Sequence, residues 1–148
     1  MIERFELFSN SIFKISKIWH KVATEEMSEF GLNAAHLIYI IALYRHKKGL
    51  NASELALISD KDKSDVSRSL NLLLKKEIVK KQQINHKAYG CLFYLTDNGL
   101  NIAKKIFKKI EIVMTIANKN ISDEQRQHFY EVLESFTKNI SEIAEMKI

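Results

Sequence analysis

Residues 51–76 read NASELALISDKDKSDVSRSLNLLLKK, and the fold turns on how this stretch is parsed. Asn51 stands where a helix N-cap belongs, and Glu54 follows three residues later, the arrangement of a capping box. Leu55 and Ile58 then offer one apolar face, and Ser59-Asp60-Lys61 makes a polar turn. Asp62 can accept from the free amides of a second helix, and Asp65 adds negative charge near its positive end. Val66, Leu70, Leu73 and Leu74 recur at helical spacing and are expected to face inward. Lys63, Ser64, Ser67, Arg68, Asn71 and Lys75 remain for the outer face, with Asp65 the only acid against them. Hydroxyls, an amide and long cations can hydrogen-bond base edges and neutralise phosphates. The pattern reads as a helix-turn-helix whose second helix, 62–76, enters the major groove of DNA. A helical hairpin with a solvated polar face fits the same stretch, so the residues that follow decide between the two.

Beyond Lys76 the period changes from helical to alternating. Residues 78–83 read as one strand, 84–90 as a polar loop with Asn85, His86 and Lys87, and 91–95 as a second strand. Two strands with a basic tip directly after a recognition helix make a wing. Lys80, Lys81, His86 and Lys87 are then placed to reach the phosphate backbone or the adjacent minor groove, which a purely structural hairpin leaves unexplained.

The charge follows the same division. The chain carries +5 overall, but residues 33–96 hold 11 Lys/Arg against 5 Asp/Glu, while the flanks hold 12 against 13. A basic centre between near-neutral ends is the footprint of a nucleic-acid binder, whereas an ordinary lysine-rich surface would spread its excess evenly. With 148 residues, 46% of them hydrophobic, the chain can bury one core, and the absence of Pro with four Gly favours long helices. A single cysteine, Cys91, excludes a disulfide framework within one chain and fits a reducing cytoplasm. The opening MIERFELFSN mixes charges among its apolar residues and does not read as a signal peptide, and no run is long and apolar enough for a membrane helix.

Both flanks are amphipathic. Phe5, Phe8, Ile12, Ile15, Trp19 and Val22 step by three and four along a helix expected from about 3 to 29, which Gly31 ends. Asn33 caps a second helix with Leu37, Ile40, Ile41 and Leu43 or Tyr44 inward; cations at 45–48 suit its end, and Gly49 closes it. After the wing, Thr96 caps a helix running to about 119, with Leu100, Ala103, Ile106, Phe107, Ile110, Val113 and Ile116 or Ala117 as its stripe. Lys104, Lys105, Lys108 and Lys109 form its solvated side. Ser122 and Gln125 open the last helix, striped by Phe129, Val132 or Leu133, Phe136, Ile140 and Ile143. No sheet or globular segment is left to cover these stripes, so the terminal helices are expected to interleave with those of a second copy. A two-fold homodimer would set two recognition helices about one DNA turn apart, roughly 34 Å, which suits a pseudo-palindromic operator in double-stranded DNA.

In this element order, and in its local motifs, the chain resembles the MarR-type winged helix regulators. LNASELALIS looks like the family's leading helix of the motif, DKDKSDVSRSLNLLLKKEIVKK like its recognition helix and first wing strand, and LTDNG at 95–99 like the segment that closes the wing. The resemblance implies a mainly α fold with a small β-hairpin wing. It implies one domain, 1–148, with 33–96 as the winged helix lobe and 1–30 and 100–148 as dimerisation helices. By the family pattern Ser64, Ser67, Arg68 and Asn71 approach bases, and Lys63 and Lys75 approach phosphates. One departure is visible: the family's wing carries an aspartate-x-arginine pair where this chain has Lys87 and Tyr89, so His86 or Lys87 would have to replace the minor-groove arginine.

The resemblance further implies repression relieved by a small hydrophobic or aromatic effector, bound between the winged lobe and the dimer helices. Trp19, His20, His36 and Tyr39 are the candidates on helices that should line that crevice, although each also fits an ordinary core or boundary role. No cofactor is expected. A thiol peroxide sensor needs a cysteine in the first helix, which is absent, and Cys91 among apolar neighbours reads as an inert buried thiol. The five histidines show no zinc spacing, and neither a G-x-S-x-G nor a P-loop is present, so no catalysis is expected. A helical protein-interaction module that keeps a winged fold without reading DNA is the alternative, motivated by the altered wing.

Overall fold

Asn51 accepts the Glu54 amide at 2.9 Å and donates its own amide to the Glu54 carboxylate at 2.7 Å, so a helix begins where the capping box places it. The computed structural model that shows this describes residues 1–83 and 90–146. Its elements run α1 (Ile2–Ser28), a 3-10 turn (Ala34–His36), α2 (Leu37–Arg45), α3 (Ala52–Ser59), α4 (Lys63–Lys75), β1 (Val79–Gln83), β2 (Cys91–Leu95), α5 (Asp97–Ala117) and α6 (Asp123–Glu145). This is a winged helix-turn-helix with long terminal helices, mainly α with one antiparallel hairpin. The chain divides into two compact units, Met1–Phe107 and Lys108–Ile148.

In the first unit the core is built from Met27, Ile40, Leu55, Val66, Leu73 and Ile78, all fully buried. They come from five segments of the chain, so α2, α3 and α4 close on one another over the hairpin's root. β1 and β2 pair in register from Val79 opposite Leu95 to Gln83 opposite Cys91. Leu50 adds a short third edge, exchanging two backbone hydrogen bonds with Phe93 at 3.2 and 2.8 Å. Val79 and Leu95 are buried and every residue of β1 beyond Val79 is exposed, so the hairpin is anchored at its base and projects outward.

The LTDNG segment fastens that base. The Thr96 hydroxyl donates to the Glu77 carbonyl at 2.6 Å and accepts the Gly99 amide at 3.0 Å, so one side chain caps α5 and ties it to the chain leaving α4. Gly99 lies against the Ile78 carbonyl, leaving no room for a Cβ. A glycine is required there by close approach.

Several expectations are corrected in detail. Leu55 is buried but Ile58 is 41% exposed, because Ser59, not Ile58, shares the inward face with Leu55; its hydroxyl donates to the Leu55 carbonyl at 2.7 Å. α2 stops at Arg45, and Gly49 lies beyond its end, donating to the His46 carbonyl in the turn that leads to the Leu50 bridge. In α2 it is Tyr39, Ile40, Ala42 and Leu43 that are buried, with Leu37, Ile41 and Tyr44 at the boundary; Tyr44 packs on Phe107 with ring centroids 4.6 Å apart. On α5, Ile102 takes the buried position expected of Leu100, which is exposed. Cys91 is half-buried at the start of β2, opposite Gln83, and is not a fully buried thiol.

α1 changes character along its length. Ala23 and Met27, near its C-terminal end, are buried in the core, while Phe5, Ile12 and Ile15 are 67%, 42% and 50% exposed. In the second unit, Ser122 accepts the Gln125 amide at 3.1 Å and the Gln125 side chain accepts the Ser122 amide at 2.9 Å, opening α6 as its capping box requires. Phe129, Val132, Ile140 and Ile143 of α6 are 55%, 51%, 46% and 50% exposed. Among the described residues, no helix is long and apolar enough to cross a membrane.

Candidate nucleic-acid interface

α4 is amphipathic, and its packing separates the two faces. Val66, Leu70 and Leu73 are buried and Leu72 and Leu74 half-buried, so one side of the helix is committed to the core. Lys63, Ser64, Ser67, Arg68, Asn71 and Lys75 are all exposed. Asp62 fixes where this helix begins, accepting the Asp65 amide at 2.8 Å. The turn before it relies on Asp60 in the left-handed region at φ 51°, a conformation that a short Asx side chain tolerates. Lys63 stands in the first helical turn, where the helix dipole disfavours a cation, so helix stability does not account for it.

Arg68 is ion-paired with Asp65 one turn earlier; its side chain is 72% exposed and that of Asp65 44%. An exposed pair of this kind contributes about 0–1 kcal/mol, so it orients the guanidinium without locking it. The wing adds Lys80, exposed on β1 opposite Tyr94. His86 and Lys87, expected at the wing tip, lie outside the described residues.

The four effector candidates separate. His36 and Tyr39 are buried and line a cavity of about 380 Å³ with Asn33, Ala35, Lys61, Asp65, Arg68, Ser69 and Leu72. Trp19 is half-buried and His20 exposed on α1, and neither reaches this cavity. The cavity thus lies between the start of α2, the turn of the helix-turn-helix and α4. Sequence reasoning missed Lys61 and Ser69: Lys61 read only as a turn residue, and Ser69 sits on the flank between the polar and apolar faces, where periodicity does not decide.

His36 is built into the local structure. Its Nδ1 accepts the Asn33 amide at 3.2 Å while Asn33 Oδ1 accepts the Ala35 amide at 3.0 Å, a reciprocal cap for the segment leading into α2. Burial holds the imidazole below its ordinary pKa. The nitrogen that would take a proton is already the acceptor of the cap. Among the described residues no group of three His, Cys, Asp or Glu side chains is arranged to hold a metal ion.

A family model described as the MarR family matches residues 30–88, from the end of α1 into the wing. Among solved structures, the transcriptional regulator SlyA is 18% identical, with a TM-score of 0.82 over 95% of this chain and 99% of its own. A putative MarR family regulator from Listeria monocytogenes, in complex with a 26mer DNA, is 20% identical, with a TM-score of 0.81 over 90% of this chain and 88% of its own. The MepR–DNA complex of S. aureus is 16% identical, with a TM-score of 0.79 over 90% and 96%. At these identities the likeness establishes a shared fold. No curated protein gives a match.

Proposed function

We propose that this chain, which is similar to the MarR family over residues 30–88 and shares the winged helix fold of its structural neighbours, is a dimeric, sequence-specific DNA-binding regulator of transcription. The observation that carries this reading is the two-sidedness of α4: one face is spent on the core, and the other exposes hydroxyl, amide and cationic side chains. In the major groove, Ser64, Ser67, Arg68 and Asn71 would meet base edges, and Lys63 and Lys75 the flanking phosphates. Lys80 would follow the backbone from the wing. That two relatives of this fold are bound to DNA supports the assignment.

The exposed apolar stripes of α1 and α6 are the proposed dimer surface, so that 33–96 forms the reading lobe and 1–30 and 100–148 the helical pairing region. An exposed row of Phe, Ile and Val repeating along two long helices is matched best by the same row on a second copy. Two recognition helices then meet a pseudo-palindromic site. The output we propose is repression, relieved by a small effector that binds against His36 and Tyr39. The chain acts as a regulator and not as an enzyme, and its place is the cytoplasm.

A fluorescence-anisotropy titration of the protein against DNA flanking its own gene, with random duplex as competitor at two salt concentrations, tests this. Binding that survives competitor and takes two protomers per site is the expected result. Binding that random DNA abolishes would favour the interaction-module reading, to which Leu57, 85% exposed on α3, is suited.

A further inference from the structure

Lys75 and Lys76 are neighbours with different surroundings. Lys75 ends α4 exposed on the polar face, whereas Lys76, in the cap position after it, is half-buried. Its ammonium lies over Gly31: a Cβ built there would fall 2.7 Å from Lys76 Nζ. Gly31 closes α1 in the left-handed region at φ 63°, donating its amide to the Ser28 carbonyl at 2.9 Å, while Leu32 donates to the Met27 carbonyl at 3.0 Å. The glycine supplies both the turn and the space the ammonium fills. Carbonyls at a helix C-terminus carry the negative end of its dipole, so a cation is favoured there. Among the described residues Lys76 has no carboxylate partner, leaving the end of α1 as its counterpart.

We infer that Lys76 is a positioning residue that keys the end of the recognition helix to the end of α1, and so sets the separation of the two recognition helices in the dimer. α1 has the geometry to transmit such a contact, since its last turns are buried with the winged lobe and the rest carries the exposed apolar stripe. A small change of angle where α4 meets α1 is multiplied along that helix. The inference rests on the DNA-reading dimer proposed above.

The test uses the full-length protein and a duplex selected by it from a random pool, together with versions whose central spacer is lengthened by one or two base pairs. Wild type is expected to discriminate against the lengthened sites. Lys76→Met, which keeps the stem and removes the charge, should lose about threefold to tenfold of that discrimination. Lys76→Arg should restore it. Gly31→Asn keeps a left-handed turn but fills the space, and should give the same loss from the other side. The slope of log affinity against log salt should stay at the wild-type value in Lys76→Met, whereas Lys75→Ala lowers it by about 1.

Unchanged spacing discrimination in both Lys76→Met and Gly31→Asn would overturn the inference. So would a salt slope lowered by about 1 in Lys76→Met, which would make Lys76 a phosphate contact. A wild type that selects no sequence overturns the DNA-reading premise itself and the inference with it.

Discussion

Asp65 holds the guanidinium of Arg68 across one turn of α4, on the face that the core leaves open. The pair gives an exposed arginine a preferred direction, and it sets the carboxylate against any approaching phosphate. Asp65→Asn should therefore raise affinity for all DNA sequences while narrowing the gap between the selected site and random duplex. Loss of an exposed pair changes stability by less than ~1 kcal/mol, so thermal melts should stay close to wild type while competition titrations move.

Thr96 and Gly99 fasten the wing and α5 to the chain leaving α4. Thr96→Val removes the cap and the bond to the Glu77 carbonyl, and should cost about 1–2 kcal/mol in urea unfolding. Gly99→Ala drives a methyl into the Ile78 carbonyl and should cost about 1–3 kcal/mol. Both should weaken DNA binding although neither residue is on the polar face of α4.

His36 should make the winged lobe sensitive to acid. Its folded pKa lies below the ordinary value of 6.5, so over the window beneath 6.5 the unfolded chain binds more protons than the folded one. The stability associated with neutral His36 is fully present above that value and is lost as pH falls through the folded pKa. Protonation would also take Nδ1 from the Asn33 amide and add a charge to a cavity wall that already holds Lys61 and Arg68, with Asp65 the acid opposing them. His36→Gln keeps an acceptor and cannot titrate, so its melting temperature should fall less between pH 7 and pH 5 than that of wild type. Parallel pH dependences in the two proteins would contradict this.

How far these features could be read in the sequence depended on whether the signal was local. The caps of α3, α4 and α6 rest on residue pairs three apart, and each forms as the spacing requires. The inward face of α4 was legible because its 13 residues repeat the helical period more than once. The inward face of α3 was not: an eight-residue helix carries too little period to choose between Ile58 and Ser59, and packing put the serine inside. Of the effector candidates, His36 and Tyr39 line one cavity and Trp19 and His20 do not, a division that spacing along the chain does not show. Trp19 and His20 lie on the helix that carries the most apolar residues, but the cavity forms where the helix-turn-helix meets the start of α2, and that meeting is tertiary. Lys76 over Gly31 could not be read at all, since it joins residues far apart in the chain.

The proposed function requires that one face of α4 reads base sequence while its ends hold the backbone. Its most direct test is a paired measurement of Arg68→Ala and Lys75→Ala, each titrated with the selected duplex and with random duplex. Arg68→Ala should lose about 1–3 kcal/mol on the selected site alone, collapsing the ratio between the two duplexes. Lys75→Ala should weaken both duplexes about equally and lower the salt slope by about 1. Equal losses on both duplexes in both variants would contradict it.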